Sequence, residues 1–153
     1  MPLSLRQLAP DFTLPSTEGK NFTLYQDQGQ QPVIVYFYPK NFTKVCTQEA
    51  CGFRDAFSDF KGLNITVLGI SQDSVQSHQK FKQEYQLPFT LLSDEDGQVS
   101  QAYRARVPLL GMTRRITYLL DQEHRVAAVY ENMFNAQKHI REMIDQLKKQ
   151  PTG

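Results

Sequence analysis

An unbroken run of apolar residues, PVIVYFYP, occupies Pro32 to Pro39 and constrains the fold more than any other part of the sequence. Its β-branched and aromatic side chains favour a β-strand. Because the side chains of a strand alternate between two faces, a strand without polar alternation must be covered on both of them. We therefore predict a central strand with other elements packed on each side of its sheet.

The remaining pattern alternates between strands and helices. Strands are predicted at Asp11–Leu14 and Asn21–Tyr25, which form an edge hairpin, and at Ile65–Ser71, Phe89–Leu92, Arg115–Asp121 and Arg125–Tyr130. Helices are predicted over Thr47–Phe60 with a stop at Gly62, over Val75–Tyr85 with Asp73 or Ser74 as cap, around Val99–Tyr103, and from a cap at Asn135 through Leu147. This order, with a β-hairpin before the closing helix, predicts an α/β domain with a mixed sheet.

Both cysteines follow the apolar run directly, in the segment PKNFTKVCTQEAC. Cys46 comes after a strand-to-helix turn, so we expect it in the first turn of a helix, where unpaired backbone N–H groups and the helix dipole favour an anion. The thiolate is the nucleophilic form of cysteine. We therefore predict that Cys46 is the reactive centre, at the carboxyl end of a central strand, where open α/β sheets usually place their sites.

The spacing of the two cysteines makes a mechanical prediction. No Gly or Pro lies between Cys46 and Cys51, so both fit on one helix. Five residues of helix separate two Cα atoms by roughly 8.7 Å, whereas a disulfide needs them within about 7 Å. The pair can therefore bond only if the helix unwinds locally, which Gly52 makes easier. A pair of this kind indicates a catalytic cycle.

Size and charge narrow the function. The 153 residues are enough for one domain, 1-153, with its own core. The net charge of +1, without a basic block, predicts binding to neither nucleic acid nor anionic membrane. The first residues resemble no secretory signal, and no run is apolar enough to span a membrane. Two cysteines without a secretory signal fit a reducing compartment, so we expect a cytoplasmic protein.

A metal site is not expected. The three histidines are not spaced as metal ligands to the cysteines, and we expect each to be solvated or partly packed. They are His78, His124 and His139.

The segment YFYPKNFTKVCTQEACGFRD resembles the peroxiredoxin signature P-x-x-x-T-x-x-C, and most closely that of the bacterioferritin comigratory protein, or Q-type, subfamily. The APDFTLP opening, the LPFTLLSD segment and Arg115-Ile116-Thr117-Tyr118 extend the resemblance over nearly the whole chain. It implies a thioredoxin-like fold with an N-terminal β-hairpin extension. It also implies reduction of hydrogen peroxide and organic hydroperoxides, without a cofactor, using a thioredoxin or similar dithiol as electron donor.

The resemblance also implies roles for individual residues. Cys46 would be the peroxidatic nucleophile and Cys51 the resolving thiol that joins it in a disulfide. Thr43 and Arg115 would contact thiolate and peroxide, and Pro39 would shield the pocket. The sequence departs from the common pattern in one place, since Lys44-Val45 replaces the usual Pro-Gly pair.

Three further expectations concern Glu49, the preferred substrate and the oligomeric state. Glu49 stands where the family often has an acid that orients the arginine, although capping of the helix explains it equally well. We hypothesise that Val45 and the apolar stretch Val107–Met112 favour organic hydroperoxides, although that stretch fits a core segment or an oligomer contact equally well. The expected state is a monomer, with a weak homodimer as the alternative.

Other interpretations remain open at this stage. Two unreactive core thiols are the default for a cysteine pair without context. A thiol-disulfide oxidoreductase usually has C-x-x-C, which the four-residue gap here does not match. A binding module switched by oxidation is the non-enzymatic alternative. Arg114 competes with Arg115 for the active position, and strand alternation allows only one of them to reach the site.

Overall fold

The fold is an α/β arrangement of seven strands and six helices in a computed structural model that describes residues 1–131 and 136–149. The strands are β1 (Thr13–Pro15), β2 (Asn21–Thr23), β3 (Val33–Phe37), β4 (Thr66–Ser71), β5 (Thr90–Ser93), β6 (Ile116–Leu120) and β7 (Val126–Glu131). The helices are α1 (Leu24–Gln28), α2 (Lys44–Asp55), α3 (Phe57–Gly62), α4 (Val75–Tyr85), α5 (Gln98–Ala102) and α6 (Ala136–Lys149).

The main sheet has five strands in the order β5-β4-β3-β6-β7, with β3 at its centre. β3 runs parallel to β4, and β4 parallel to β5, whereas β6 is antiparallel to both β3 and β7. The predicted mixed sheet and the β6–β7 hairpin are therefore confirmed. β1 and β2 form a separate antiparallel pair, which is the predicted N-terminal hairpin.

Every residue of β3 is buried, as its apolar run predicts. Ile34 and Tyr36 belong to the core cluster that contains residues of α2 and α6, whereas Val33, Val35 and Phe37 belong to the cluster on the opposite face. The alternation of side chains along β3 therefore divides the core into two layers, one on each face of the sheet. The carboxyl end of β3 leads into the loop that carries the reactive segment.

Two predicted elements differ from the structure in more than the position of their ends. The second strand of the hairpin ends at Thr23 instead of continuing to Tyr25, because Leu24 begins helix α1 and Asp27 accepts a hydrogen bond from the Thr23 backbone N–H at 2.7 Å. The helix predicted over Thr47–Phe60 is two helices, since the chain turns at Ala56 before α3.

The caps of two helices were also predicted. Ser74, one of the two candidates, caps α4, and its side chain accepts a hydrogen bond from the backbone N–H of Ser77 at 3.1 Å. The predicted cap of the last helix, Asn135, lies outside the described residues.

The contact between β4 and its neighbours predicts a stability effect. A Cβ at Gly69 would lie 2.8 Å from Leu91 Cδ2 and 2.8 Å from Tyr36 Cζ, both in the buried core. We expect Gly69→Ala to lower the free energy of unfolding by about 1–3 kcal/mol, because the core must shift to admit the methyl group. Urea denaturation measures this change.

Gly62→Ala is the matched control, because a Cβ there meets nothing within 4 Å. The free energy of unfolding of this variant should lie within about 1 kcal/mol of that of the wild type. Equal unfolding free energies for the two variants would contradict the tight packing at Gly69.

Candidate active site

Cys46 is the third residue of α2, in the first turn of the helix, as predicted. The helix begins where the loop from the buried β3 strand ends, and its N-cap residue is Thr43. The backbone N–H groups of this first turn have no partner within the helix and carry its positive dipole end. The sulfur therefore lies at the position of the helix that best stabilises negative charge.

Arg115 is the second component of the site and comes from a distant part of the sequence. It directly precedes β6, whose first residue, Ile116, pairs with Phe37 at the end of β3. Its Nη2 donates to Cys46 Sγ at 3.3 Å, and its Nη1 donates to Glu49 Oε1 at 3.1 Å. One planar guanidinium therefore binds the sulfur and the carboxylate at the same time.

Arg114 points elsewhere, as strand alternation requires, and forms an ion pair with Glu131 at 3.4 Å. Of the two neighbouring arginines, Arg115 reaches the cysteine. The role of Arg115 in binding thiolate and substrate remains a prediction.

Glu49 lies on the same helix as Cys46 and is completely buried. Burial raises the pKa of its carboxyl to about 7, because desolvation outweighs the opposing attraction of Arg115. Its Oε2 atom has no hydrogen-bond partner within the described part of the chain. The capping interpretation of Glu49 is wrong, since α2 has no side-chain cap and the carboxylate binds Arg115 instead.

The site is closely packed. Cys46 is 1% exposed, and the side chain of Arg115 retains 14% of its accessible surface. Electrostatic interactions are stronger here than in water, because the surroundings have a low dielectric constant. The Arg115 side chain keeps some accessible surface, whereas the Cys46 residue keeps almost none.

The other predicted site residues lie close to Cys46 in the sequence. Thr43 is exposed, and its hydroxyl donates to the carbonyl oxygen of Lys40 at 2.8 Å, so its proton is not directed at the sulfur. Its oxygen keeps lone pairs that can accept a hydrogen bond. Pro39 and Val45 are half-buried in the segments on either side of Thr43. The predicted hydrogen bond from Thr43 to the thiolate remains a prediction.

Cys51 is half-buried on the same helix, and both cysteines are free thiols. Burial raises the pKa of the Cys51 thiol, although nearby Arg54 opposes the effect. With both residues inside α2, the helical separation of roughly 8.7 Å between their Cα atoms applies. The thiols cannot join while α2 is intact.

The apolar stretch Val107–Met112 is a surface loop. Leu109, Leu110 and Met112 are exposed, so the interpretation as a core segment is wrong. The loop is attached next to the end of β4, because the side chain of Gln72 donates to the carbonyl oxygen of Gly111 at 2.7 Å.

His78 is more deeply buried than the sequence predicts. It was predicted to be solvated or partly packed, but it is completely buried, and its Nδ1 lies 3.0 Å from Asn41 Nδ2. Burial lowers the pKa of His78 to about 4, against the opposing effect of Asp73, so the ring is neutral near pH 7. The sequence does contain a signal for the burial of His78. Polar residues follow the carboxyl ends of two buried strands, and side chains converge there.

The other two histidines are His124 and His139. His124 lies in the turn between β6 and β7 and stacks on the ring of Tyr25, with centroids 4.5 Å apart. The side chain of His139 lies outside the described residues. Within residues 1–131 and 136–149, no helix is both long and apolar enough to cross a bilayer.

Comparison with known proteins identifies the family. A sequence profile described as the AhpC/TSA family matches residues 5–129. The chain belongs to the AhpC/TSA family.

Similar proteins within this family carry peroxiredoxin names. The chain is 43% identical over 153 residues to the putative peroxiredoxin bcp of Coxiella burnetii, covering 96% of this chain and 100% of that protein. It is 45% identical over 138 residues to the chloroplastic peroxiredoxin Q of Suaeda salsa, covering 90% of this chain. Here the match spans 64% of the plant protein's length, which is a little under two thirds.

Solved structures agree with this assignment. Peroxidoxin BcpB of Mycobacterium tuberculosis superposes with a TM-score of 0.89 at 30% identity, covering 97% of this chain and 98% of that chain. A peroxiredoxin Q structure from Xanthomonas campestris gives a TM-score of 0.81 at 28% identity, covering 90% and 89%. The predicted thioredoxin-like fold, membership of the bcp and Q-type peroxiredoxins, and thiol-dependent peroxidase function are confirmed.

Buried Glu49 predicts a pH-dependent stability. Below about pH 4.5 its carboxyl is neutral in both the folded and the unfolded chain, whereas between 4.5 and 7 the unfolded chain ionises first. Wild-type stability therefore falls through this window as the pH rises. Glu49→Gln removes this loss of stability. The free energy of unfolding of the variant minus that of the wild type should therefore increase by up to about 3 kcal/mol between pH 4.5 and 8.

Urea denaturation at the two pH values measures this change. Glu95→Gln is the control, because Glu95 is exposed, and its difference from wild type should be the same at both pH values. A Glu49→Gln profile parallel to that of wild type would show that the buried carboxyl does not resist ionisation.

Proposed function

We propose that this chain reduces hydrogen peroxide and organic hydroperoxides with Cys46 as the nucleophile. The observation that carries the proposal is the contact of Arg115 Nη2 with Cys46 Sγ at 3.3 Å, in the first turn of α2. A cationic fork and a helix N-terminus that converge on one sulfur both stabilise a thiolate. Neither feature is needed for an unreactive core thiol.

The first step transfers one oxygen atom to the sulfur. The Cys46 thiolate attacks the terminal oxygen of ROOH, the O–O bond breaks, and the products are the sulfenic acid Cys46–SOH and RO⁻, which takes a proton to become ROH. Negative charge moves from sulfur to the departing oxygen during attack. Arg115 already contacts the sulfur, and we propose that it also binds the departing oxygen and so stabilises the transition state.

The second step resolves the sulfenic acid with Cys51. The Cys51 thiol attacks Cys46–SOH, a disulfide forms, and water leaves. The helical separation of the two residues requires α2 to unwind before this step. An external dithiol, of the thioredoxin type, then reduces the disulfide by exchange and is itself oxidised.

Organic hydroperoxides are the proposed preferred substrates. Val45 is half-buried next to Cys46, and Leu109, Leu110 and Met112 supply exposed apolar surface on the loop that Gln72 attaches to the end of β4. A solved structure of the Xanthomonas campestris bacterioferritin comigratory protein carries a title that refers to its alkyl peroxide reduction activity. Equal catalytic efficiency toward hydrogen peroxide and a bulky alkyl hydroperoxide would contradict the preference.

The cellular setting and assembly follow from the same proposal. We place the protein in the cytoplasm, because two free thiols fit a reducing compartment. We propose that residues 1-153 act as one domain and as a monomer, with weak dimerisation through the exposed 107–112 loop as the alternative. Size-exclusion chromatography with light scattering at two protein concentrations tests this assembly.

Arg115→Lys tests the role of the guanidinium. Lysine keeps the positive charge but loses the two-pronged geometry that binds sulfur and carboxylate together. We expect the second-order rate constant for sulfenic acid formation to fall by about 100-fold. Stopped-flow measurement with a hydroperoxide gives this constant.

Arg114→Lys is the matched control for that experiment. Arg114 pairs with Glu131 on the outside of the sheet, so its replacement should leave the rate constant within about 2-fold of wild type. If both lysine variants react like the wild type, Arg115 has no part in the reaction.

Thiol counting tests the two cysteine roles. One equivalent of peroxide should remove both free thiols of the wild type, leave Cys46→Ser without rapid reaction, and leave Cys51→Ser as a sulfenic acid that dimedone traps. Full oxidation of Cys46→Ser at the wild-type rate would assign the nucleophile to Cys51 instead.

A further inference from the structure

A buried polar network lies beside the loop that leads to Cys46. Its members come from the end of β3, the end of β4 and the first turns of α4, and they form hydrogen bonds with one another. They are Tyr38, Asn41, Ser71, Asp73, Ser77 and His78. The reaction described above uses none of them.

Asn41 is the centre of the network and is itself part of the loop. Its backbone N–H donates to Asp73 Oδ2 at 3.0 Å, and its side-chain oxygen accepts from the Tyr38 hydroxyl at 2.6 Å. Its amide nitrogen donates to Ser77 Oγ at 3.1 Å and lies 3.0 Å from His78 Nδ1. Every polar group of the Asn41 side chain is therefore engaged, at 3% exposure.

These contacts determine the state of His78. The amide nitrogen of Asn41 can only donate, so His78 Nδ1 must be the acceptor and the proton resides on Nε2. Nε2 faces Ser71 Oγ at 3.4 Å, and that hydroxyl donates to Asp73 Oδ2 at 2.6 Å. Asp73 also accepts from the backbone of Asn41, so the hydrogen bonds form a closed ring that requires neutral histidine.

The backbone next to Asn41 is strained. Phe42 has φ +65°, a left-handed conformation that costs a bulky residue about 1–3 kcal/mol and persists where the surroundings enforce it. The Phe42 ring contacts Phe81 of α4, with centroids 5.1 Å apart. The network and this ring together attach the loop to α4 and maintain the strained turn.

The turn leads directly into the active site. Thr43 follows Phe42, its hydroxyl donates to Lys40 on the other side of Asn41, and its carbonyl oxygen accepts the helical hydrogen bond from Thr47 at 2.9 Å. The position of Asn41 therefore determines where α2 begins. A displacement of about 1 Å in a reacting group can cost 100-fold in rate.

We infer that Asn41 and His78 are positioning residues for the peroxide reaction. Their hydrogen bonds hold residues 39–43 so that the first turn of α2 presents Cys46 and Thr43 to the peroxide in one fixed geometry. The inference rests on the proposed function, and it assigns to His78 a role that acts through Asn41 and not through contact with substrate.

His78→Phe tests the inference, because it keeps a ring of similar size and removes both ring nitrogens. Two rates are measured on each variant: sulfenic acid formation with a hydroperoxide, and alkylation of Cys46 by iodoacetamide in a Cys51→Ser background. Alkylation needs an accessible thiolate but not the peroxide geometry. We expect the peroxide rate to fall by about 10-fold or more, and alkylation to change by less than about 3-fold.

The ratio of the two rates separates positioning from a merely structural role, which would change both rates in parallel. Asn41→Ala combined with His78→Phe should reduce this ratio no further than the larger single effect, because His78 acts through Asn41. If His78→Phe fails to fold, the same two rates are measured on Tyr38→Phe, which lacks one oxygen atom. His124→Asn, at a histidine that stacks on Tyr25, is the control and should leave the ratio unchanged.

An unchanged ratio in a folded His78→Phe or Tyr38→Phe variant overturns the inference while the proposed function stands. A wild-type protein whose Cys46 is alkylated but does not react with peroxide overturns the proposed function itself, and the inference with it.

Discussion

The active site depends on the antiparallel pairing of β3 with β6. Their register sets Phe37 opposite Ile116, so Arg115 reaches the point where β3 ends and the chain turns toward Cys46. A shift of one residue would reverse the faces of β6 and direct Arg114 toward the sulfur. Because β6 is buried on both faces, such a shift would also exchange the side chains of its two core layers, moving Tyr118 into the layer that now holds Leu119. The packing of the sheet therefore fixes which arginine contacts the cysteine.

The guanidinium of Arg115 contacts two groups in the buried site, the Cys46 sulfur and the Glu49 carboxyl. The net charge of the site therefore depends on which of these groups is ionised. Arg115 binds both the sulfur and Glu49, whose pKa is raised to about 7 by burial. In the proposed reaction, the positive charge of Arg115 acts on the sulfur and the departing oxygen alone when Glu49 is neutral. When Glu49 is ionised, it orients the arginine more firmly but shares its charge. Both protonation states of Glu49 therefore occur near neutral pH, with different electrostatic effects on the reaction.

The central strand, the mixed sheet and the position of Cys46 in a first helical turn could be predicted from the sequence, because each depends on periodicity or on a local helix signal. The preference for Arg115 over Arg114 came from the resemblance to peroxiredoxins, since alternation along a strand shows only that one of the two can reach the site. The sequence was not sufficient where contacts between distant elements determine the structure. The break at Ala56 and the short helix after Thr23 are not encoded by a Pro or by a change in apolar spacing. The burial of His78 depends on partners that arrive from two strand ends, so helix periodicity alone misplaced it.

In the proposed cycle, helix α2 must be intact to stabilise the Cys46 thiolate and must unwind to let Cys51 reach it. Two buried oxygens near it have no hydrogen-bond partner within the described residues, Glu49 Oε2 and the hydroxyl of Tyr36, whose ring stacks on Phe53 of α2 at 4.7 Å. An unpaired buried polar group costs about 1–3 kcal/mol, which hydration recovers when a segment opens. The packing beneath α2 is therefore less favourable than that of an apolar interface. Upstream, Asn41 is fully hydrogen-bonded, so opening of the chain costs more there than within α2.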